Sequence, residues 1–93
     1  MTSIYLIADL IGRDLVIRRY ANQSGRWMCL FENGEVMDRG ALVGVFGNGV
    51  TPTEAVQDYC KQIVGCRMAF DAMTPARRTE FTMPADLGVG SAP

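Results

Sequence analysis

Residues 47–55, with the sequence GNGVTPTEA, mark the start of a helix in the middle of the chain. Thr51 can cap this helix, because a threonine hydroxyl accepts a hydrogen bond from the free N–H groups of a first helical turn. Pro52 suits the first helical position, and Glu54 stands three residues after Thr51, which is the spacing of a capping box. The stretch therefore predicts one capped helix that follows a strand-rich first half.

The predicted helix runs from Pro52 to Val64 and has one apolar face. Five residues recur at helical spacing and predict the buried stripe: Ala55, Val56, Tyr59, Cys60 and Ile63. Gly65 follows, at the place where a left-handed residue commonly ends a helix.

Short apolar or alternating runs predict strands on both sides of this helix. The runs are Ile4–Ala8, Leu15–Tyr20, Arg26–Glu32, Glu35–Asp38, Ala41–Phe46, Arg67–Asp71 and Arg78–Met83. Asn33-Gly34 is typical of a type I′ hairpin turn, so Glu35–Asp38 is expected to return antiparallel to Arg26–Glu32. The pattern predicts an α+β fold, in which an antiparallel sheet of about five or six strands packs against one α-helix.

Length and charge restrict the classes of function. A chain of 93 residues has room for one domain, and we expect a single α+β domain over residues 1–87 with a flexible C-terminal tail over 88–93. The net charge of −1 gives no overall attraction to DNA or to an anionic membrane. Three cysteines without a secretory signal, and no apolar run near the ~20 residues of a membrane span, indicate a cytoplasmic protein.

The residue inventory argues against catalysis. Histidine is absent, so neither a Ser-His nor a Cys-His nucleophile pair can form. The spacing of the cysteines is unlike that of a zinc site, and we predict no metal and no cofactor. Gly47-Asn48-Gly49 lies before a helix N-terminus and could cradle an anion, but we interpret it as a flexible turn from strand to helix.

Charged residues supply the candidate partner-binding positions. Glu32, Glu35 and Asp38 surround the predicted hairpin, and such an acidic projection can compete with nucleic-acid phosphates for a basic groove. Arg77 and Arg78 follow a proline turn and are the other candidates, because the guanidinium group is favoured at interfaces. Met28 and Leu30 share one strand face, which would be an exposed apolar patch if nothing covers it.

The second half of the chain carries a resemblance to known proteins. FGNGVTPTEAVQDYCKQIVG followed by RRTEFTMPADL resembles small proteins of tailed phages, in which a strand precedes a GNG-x-TP-x-EA helix start. This resemblance covers Val45 to Leu87. The helix start is also similar to the HicB-like core, although the chain lacks the DNA-binding segment that follows this core in full HicB antitoxins.

Small acidic phage proteins of this architecture resemble anti-CRISPR proteins. The resemblance implies a non-enzymatic inhibitor that binds protein subunits of a type I CRISPR surveillance complex and blocks target DNA recognition, in the cytoplasm of an infected bacterium. The alternatives are a HicB-like or phage regulatory module that binds through its sheet edge, and a virion accessory module that oligomerises through Met28 and Leu30. Direct nucleic-acid binding is disfavoured by the net charge.

Overall fold

The structure is a computed structural model that describes residues 1–22 and 25–90. Two helices lie in these ranges, α1 (Ile4–Ile11) and α2 (Pro52–Ile63). The strands are β1 (Thr2–Ser3), β2 (Leu15–Arg19), β3 (Trp27–Phe31), β4 (Gly34–Asp38), β5 (Ala41–Val43), β6 (Gly47–Gly49), β7 (Arg67–Phe70), β8 (Thr79–Thr82) and β9 (Leu87–Gly88). Neither of the described helices is long and apolar enough to cross a membrane.

The described strands form three sheets instead of the single sheet that was expected. A three-stranded sheet has the order β2-β3-β6, and a four-stranded sheet has the order β5-β4-β7-β8. All pairs in both sheets are antiparallel, whereas β1 and β9 form a separate parallel pair near the two ends of the chain. The α+β class and the mainly antiparallel pairing are therefore confirmed.

Helix α2 begins and packs as its sequence predicts. The Thr51 side chain accepts a hydrogen bond from the Glu54 backbone N–H at 3.1 Å, and Pro52 occupies the first turn. The buried residues of α2 are the five of the predicted stripe, and Gly65 adopts a left-handed φ of 69° just beyond the helix. The capping box and the apolar stripe were sufficient to predict this element.

The strand predicted at Ile4–Ala8 is wrong, because these residues lie in helix α1. Ser3 caps the helix and accepts a hydrogen bond from the Tyr5 backbone N–H at 3.2 Å, and Gly12 ends it at a φ of 67°. Ile4 and Ile7 are buried one turn apart, which suits a helix. A short apolar run does not distinguish a buried strand from a helix by itself.

The hairpin predicted at Asn33-Gly34 is also wrong. β3 pairs with β2 and with β6, so both of its edges are occupied and β4 joins the four-stranded sheet. The two-residue hairpin lies instead between β4 and β5, where Asp38 pairs with Ala41. Arg39 and Gly40 form this turn with φ values of 51° and 83°, and positive φ at both central residues is the mark of a type I′ turn.

One hydrophobic core joins the two larger sheets to the helices. Helix α2 lies against β6 and β3, and the Tyr59 hydroxyl accepts a hydrogen bond from the Phe31 backbone N–H at 3.0 Å. The Phe31 ring contacts Tyr59 and, from the four-stranded sheet, Phe70, with ring centroids 6.0 and 5.6 Å apart. Phe31 thus packs between α2 and the second sheet.

In the described part of the chain, strand pairing continues to Gly88, the last residue of β9. Gly88 pairs with Ser3 in the β1–β9 ladder, and the Ser3 hydroxyl donates a hydrogen bond to the Val89 carbonyl oxygen at 2.8 Å. The flexible tail expected over 88–93 stays a prediction, and its residues 91–93 lie outside the described part of the chain.

Candidate partner-binding cleft

Two adjoining pockets form one polar cleft beside the end of β7. Their volumes are about 170 and 310 Å³, and they share Asn33, Asp71 and Arg77. The charged residues that line the polar cleft are Arg13, Asp14, Glu32, Glu35, Asp71 and Arg77. These residues come from the segment after α1, from the β3–β4 connection with the start of β4, and from the segment after β7, so three separate parts of the chain build the cleft.

Two left-handed residues shape the backbone of the polar cleft. Asn33 has a φ of 58° and Asp71 a φ of 52°, and the Asp71 backbone N–H donates a hydrogen bond to the Asn33 carbonyl oxygen at 3.1 Å. Asn and Asp adopt this conformation more readily than other non-glycine residues. The sequence predicts a turn at Asn33, but it places Asp71 in a strand, because nothing local marks the end of β7.

A half-buried arginine, Arg13, holds the wall of the cleft together. The Arg13 guanidinium donates hydrogen bonds to Asp71 Oδ2, to the Arg77 carbonyl oxygen at 3.1 Å and to Thr79 Oγ1 at 2.8 Å. The same group lies 5.4 Å from the centre of the Phe70 ring. The side chains of Arg13 and Asp71 are only 17% and 9% exposed, so the pair is part of the wall of the cleft.

The pKa of Asp71 is lowered by this environment. The hydrogen bond from Arg13 is the largest cause, and the charges of Arg13 and Arg77 and a hydrogen bond from Asn33 act in the same direction, against the opposing effect of desolvation. Arg77 Nε lies 3.9 Å from Asp71 Oδ2, and its side chain is 73% exposed. Asp71 is therefore a carboxylate with a structural role, and its negative charge is already balanced by Arg13 and Arg77.

The remaining carboxylates give the cleft an acidic character. Four carboxylates and two guanidinium groups line it, which gives a net formal charge of −2. Among residues 1–22 and 25–90, Asp14, Glu32 and Glu35 form no ion pair. The cleft thus presents unmatched negative charge that a cationic group of a partner could neutralise.

The structure brings together three of the five sequence-predicted binding residues. Glu32, Glu35 and Arg77 all line the polar cleft. Asp38 lies at the far end of β4 and lines a different groove, since strand residues three positions apart point to opposite faces of a sheet. The acidic cluster of the cleft therefore contains Glu32 and Glu35, with Asp14 as a third carboxylate.

Arg78 faces away from the cleft and is already paired. Its Nε and NH2 atoms donate hydrogen bonds to Glu80 Oε2 at 3.3 and 3.2 Å. Arg67 contacts the other oxygen of the same carboxylate at 3.4 Å. Arg78 thus belongs to an ion-pair ladder on the outer face of the four-stranded sheet, whereas Arg77 belongs to the cleft.

The Gly47-Asn48-Gly49 motif is a strand and not a flexible turn. Its segment is β6, and the Asn48 backbone N–H donates a hydrogen bond to Asp58 Oδ2 at 2.9 Å. The Val50 backbone N–H, which follows the motif, donates a hydrogen bond to Glu54 Oε2 at 3.1 Å. Carboxylates from α2 thus occupy the donors that an anion would need.

Two of the three thiols are held in an unreactive form. Burial raises the pKa of Cys29 to about 12, with a further contribution from Cys60, and burial raises the pKa of Cys60 to about 11. A thiol with such a pKa is protonated at neutral pH and is a poor nucleophile. In the described residues, no group of three or more potential ligands could hold a metal ion.

The apolar surface is not where the strand pattern places it. Met28 and Leu30 are half-buried, whereas Leu6 and Leu10 of α1 are 61% and 72% exposed.

Comparisons of the chain with models of protein families, with curated proteins and with solved structures find no match. The candidate partner-binding site is the polar cleft.

Proposed function

We propose that the chain is a non-enzymatic inhibitor that binds a partner protein through the polar cleft. The observation that carries this proposal is the set of three unmatched carboxylates, Asp14, Glu32 and Glu35, around a preformed cavity. The partner surface that complements them is basic, and basic grooves are typical of nucleic-acid-binding proteins. Occupying such a groove would exclude DNA by steric overlap and by charge competition.

The anchored wall of the cleft supports a role in binding. Arg13 holds the segment from Asp71 to Thr79 through three hydrogen bonds, so the acidic groups stand on a fixed frame. A preorganised surface loses less conformational entropy when it binds. Met73, which is 89% exposed, lies at the rim and supplies an apolar contact beside the charges.

The resemblance to anti-CRISPR proteins makes a type I CRISPR surveillance complex the first partner to test. In this proposal, Glu32 and Glu35 neutralise lysine or arginine side chains of a Cas subunit that would otherwise contact target DNA. Arg77, at the edge of the cleft, contacts an acidic side chain or the guide RNA backbone. The protein then blocks target recognition and needs no catalytic group.

The test is charge reversal in the cleft, with a control at Asp38, which lies on β4 as Glu35 does. Glu32→Lys combined with Glu35→Lys is expected to weaken binding to the purified complex by roughly a hundredfold or more, because attraction becomes repulsion. The separate variant Asp38→Lys makes the same kind of charge reversal at one position outside the cleft. It is expected to leave the affinity for the complex within a few-fold of wild type. Interferometry with immobilised complex, followed by a DNA competition assay, measures both effects. Equal loss in Asp38→Lys, or no loss in the double variant, contradicts the cleft as the binding site.

A second candidate function is a HicB-like or phage regulatory module that binds through a sheet edge. The β5 edge favours it, because Ala41, Leu42 and Val43 are exposed and carry no charge. Asp38 and Ala41 flank a two-residue turn and exchange both backbone hydrogen bonds, so the Leu42 N–H points away from β4. Leu42→Pro removes this outward donor, and loss of partner binding in that variant alone would favour strand addition.

The exposed face of α1 favours a virion accessory module that acts as an oligomer. Leu6 and Leu10 stand one turn apart on this face, in place of the Met28 and Leu30 patch that the sequence indicated. Leu6→Lys with Leu10→Lys should convert such an oligomer to a monomer in sedimentation experiments. A wild-type chain that sediments as a monomer across the accessible concentration range removes this candidate.

A further inference from the structure

A further cavity of the described chain shares no lining residue with the polar cleft. It is an open cleft of about 550 Å³ between the second half of α2 and β9. Its apolar side chains are Met1, Cys60, Val64, Leu87 and Val89. This volume is within the range of small-molecule sites, which are mostly apolar with a few placed polar groups. We call it the apolar cleft.

The polar groups of the apolar cleft are few and lie on one helix. Lys61 is the one charged side chain among the described lining residues, and Gln57 stands one turn before it on α2. Within residues 1–22 and 25–90, Lys61 forms no ion pair. A lysine in a last helical turn is also favoured by the helix dipole. The observation that bears on ligand binding is that this unmatched cation lies at an apolar wall.

The wall beside Lys61 is apolar. Cys60 is only 4% exposed and belongs to the hydrophobic core, as does Leu87. Burial raises the pKa of the Cys60 thiol, which reports a surrounding that disfavours charge. On the opposite wall, β9 is paired on one side with β1, and the Met1 side chain lies directly over Gly88. The cleft therefore combines an apolar floor with a cationic rim.

We infer that the apolar cleft binds a small amphipathic carboxylate, with its hydrocarbon part on the apolar floor and its carboxylate beside Lys61. Charge complementarity selects this class over a neutral or cationic ligand of the same shape, because the rim offers one positive charge and the Gln57 amide as a second donor. The inference does not depend on the proposed inhibitor function, since the two sites share no residue.

Paired ligands that differ only in charge test this inference. Octanoate and octanol have the same hydrocarbon chain, and each is titrated into the isotopically labelled chain while amide and methyl NMR shifts are followed. Octanoate is expected to shift Val64, Leu87, Gly88 and Val89 and to bind roughly fivefold more tightly than octanol, the size expected of one partly exposed ion pair. Absence of shifts at these residues with both ligands overturns the inference.

Lysine replacement separates the charge from the apolar floor. Lys61→Met keeps an apolar side chain of similar length, so octanol binding should persist while the preference for octanoate disappears. Arg18→Met is the matched control, because it removes one exposed cation from β2, outside the apolar cleft. Retained octanoate preference in Lys61→Met, or an equal loss in Arg18→Met, would show that Lys61 does not select the carboxylate.

Discussion

At the scale of single residues, Gly47 and Gly49 set the distance between β6 and α2. A Cβ atom at Gly47 would lie 2.5 Å from the Tyr59 nitrogen, and one at Gly49 would lie 2.5 Å from the Ala55 nitrogen. Both neighbours are helix backbone, which cannot swing away as a side chain can. Asn48, between them, points to the other face, where its amide oxygen accepts a hydrogen bond from the Tyr20 hydroxyl. The two glycines of this motif thus allow β6 to pack closely against the backbone of α2.

This close approach predicts a large effect of one methyl group. Gly47→Ala is expected to destabilise the fold by roughly 3 kcal/mol, because strand and helix must separate to admit the Cβ atom. Gly44→Ala is the control, since a Cβ there meets nothing within 4 Å and the residue has no positive φ; it should be neutral or slightly stabilising. Urea unfolding monitored by circular dichroism gives both values, and similar midpoints for the two variants would refute the packing argument.

At the scale of elements, the sequence predicts a helix correctly when its caps and its apolar stripe lie within one segment. The α2 helix was predictable because its cap, its stripe and its closing glycine all lie within one segment. The α1 caps, Ser3 and Gly12, were also present in the sequence, but eight apolar-rich residues satisfy a strand pattern as well. Strand partners were not predictable, since Asn33-Gly34 and Arg39-Gly40 both allow a turn. Occupation of both β3 edges by distant strands decides between them.

The same limit applies to the polar cleft. Its unmatched acids, Glu32 and Glu35, were identified because they surround a turn signal. The Arg13–Asp71 pair was missed, because its partners are 58 positions apart and neither has a local mark. Sequence reasoning thus found the groups that project into the cleft and not the groups that build its wall.

The cap of α2 gives a prediction at this scale. Thr51→Ala removes the acceptor of the Glu54 N–H and is expected to cost about 1 kcal/mol. Thr53→Ala changes the same side chain two residues later, inside the exposed first turn, where alanine has the higher helix propensity; stability should hold or rise slightly. Thermal and urea unfolding of both variants compare them directly, and an equal loss at Thr53 would mean that the hydroxyl at Thr51 has no capping role.

At the scale of the whole molecule, one arginine ties together segments that are remote in sequence. Arg13 follows α1, whereas its partners are Asp71, just after β7, Arg77, in the connection to β8, and Thr79, the first residue of β8. The β1–β9 pair makes a second closure, between residues near the two ends of the chain. These long-range contacts hold α1 and the four-stranded sheet in one body, and the frame of the polar cleft depends on the first of them.

The Arg13–Asp71 pair therefore predicts how stability depends on pH. The pKa of Asp71 in the folded state lies below its usual value of 3.8, so the folded state binds fewer protons there than the unfolded chain. The stabilisation is fully present above pH 3.8 and is lost as the pH falls through the folded-state pKa. Asp71→Asn tolerates the left-handed backbone but has no charge, so its stability should fall less than that of wild type between pH 6 and pH 2.5.

A double-mutant cycle extends this prediction to the pair. Arg13→Met leaves Asp71 as an unmatched carboxylate with little exposure and should be the more damaging single change, whereas Asp71→Asn leaves Arg13 bonded to Arg77 and Thr79. The double variant should lose less stability than the sum of the two single losses at pH 7, and this non-additivity should shrink as the pH falls through the folded-state pKa of Asp71. The cycle for Arg78→Met and Glu80→Gln, a more exposed pair on the outer sheet face, should show a smaller coupling. Additive losses at pH 7 for Arg13 and Asp71, measured by urea unfolding, would mean that packing of the arginine on Phe70, and not its ion pair, joins the two parts of the molecule.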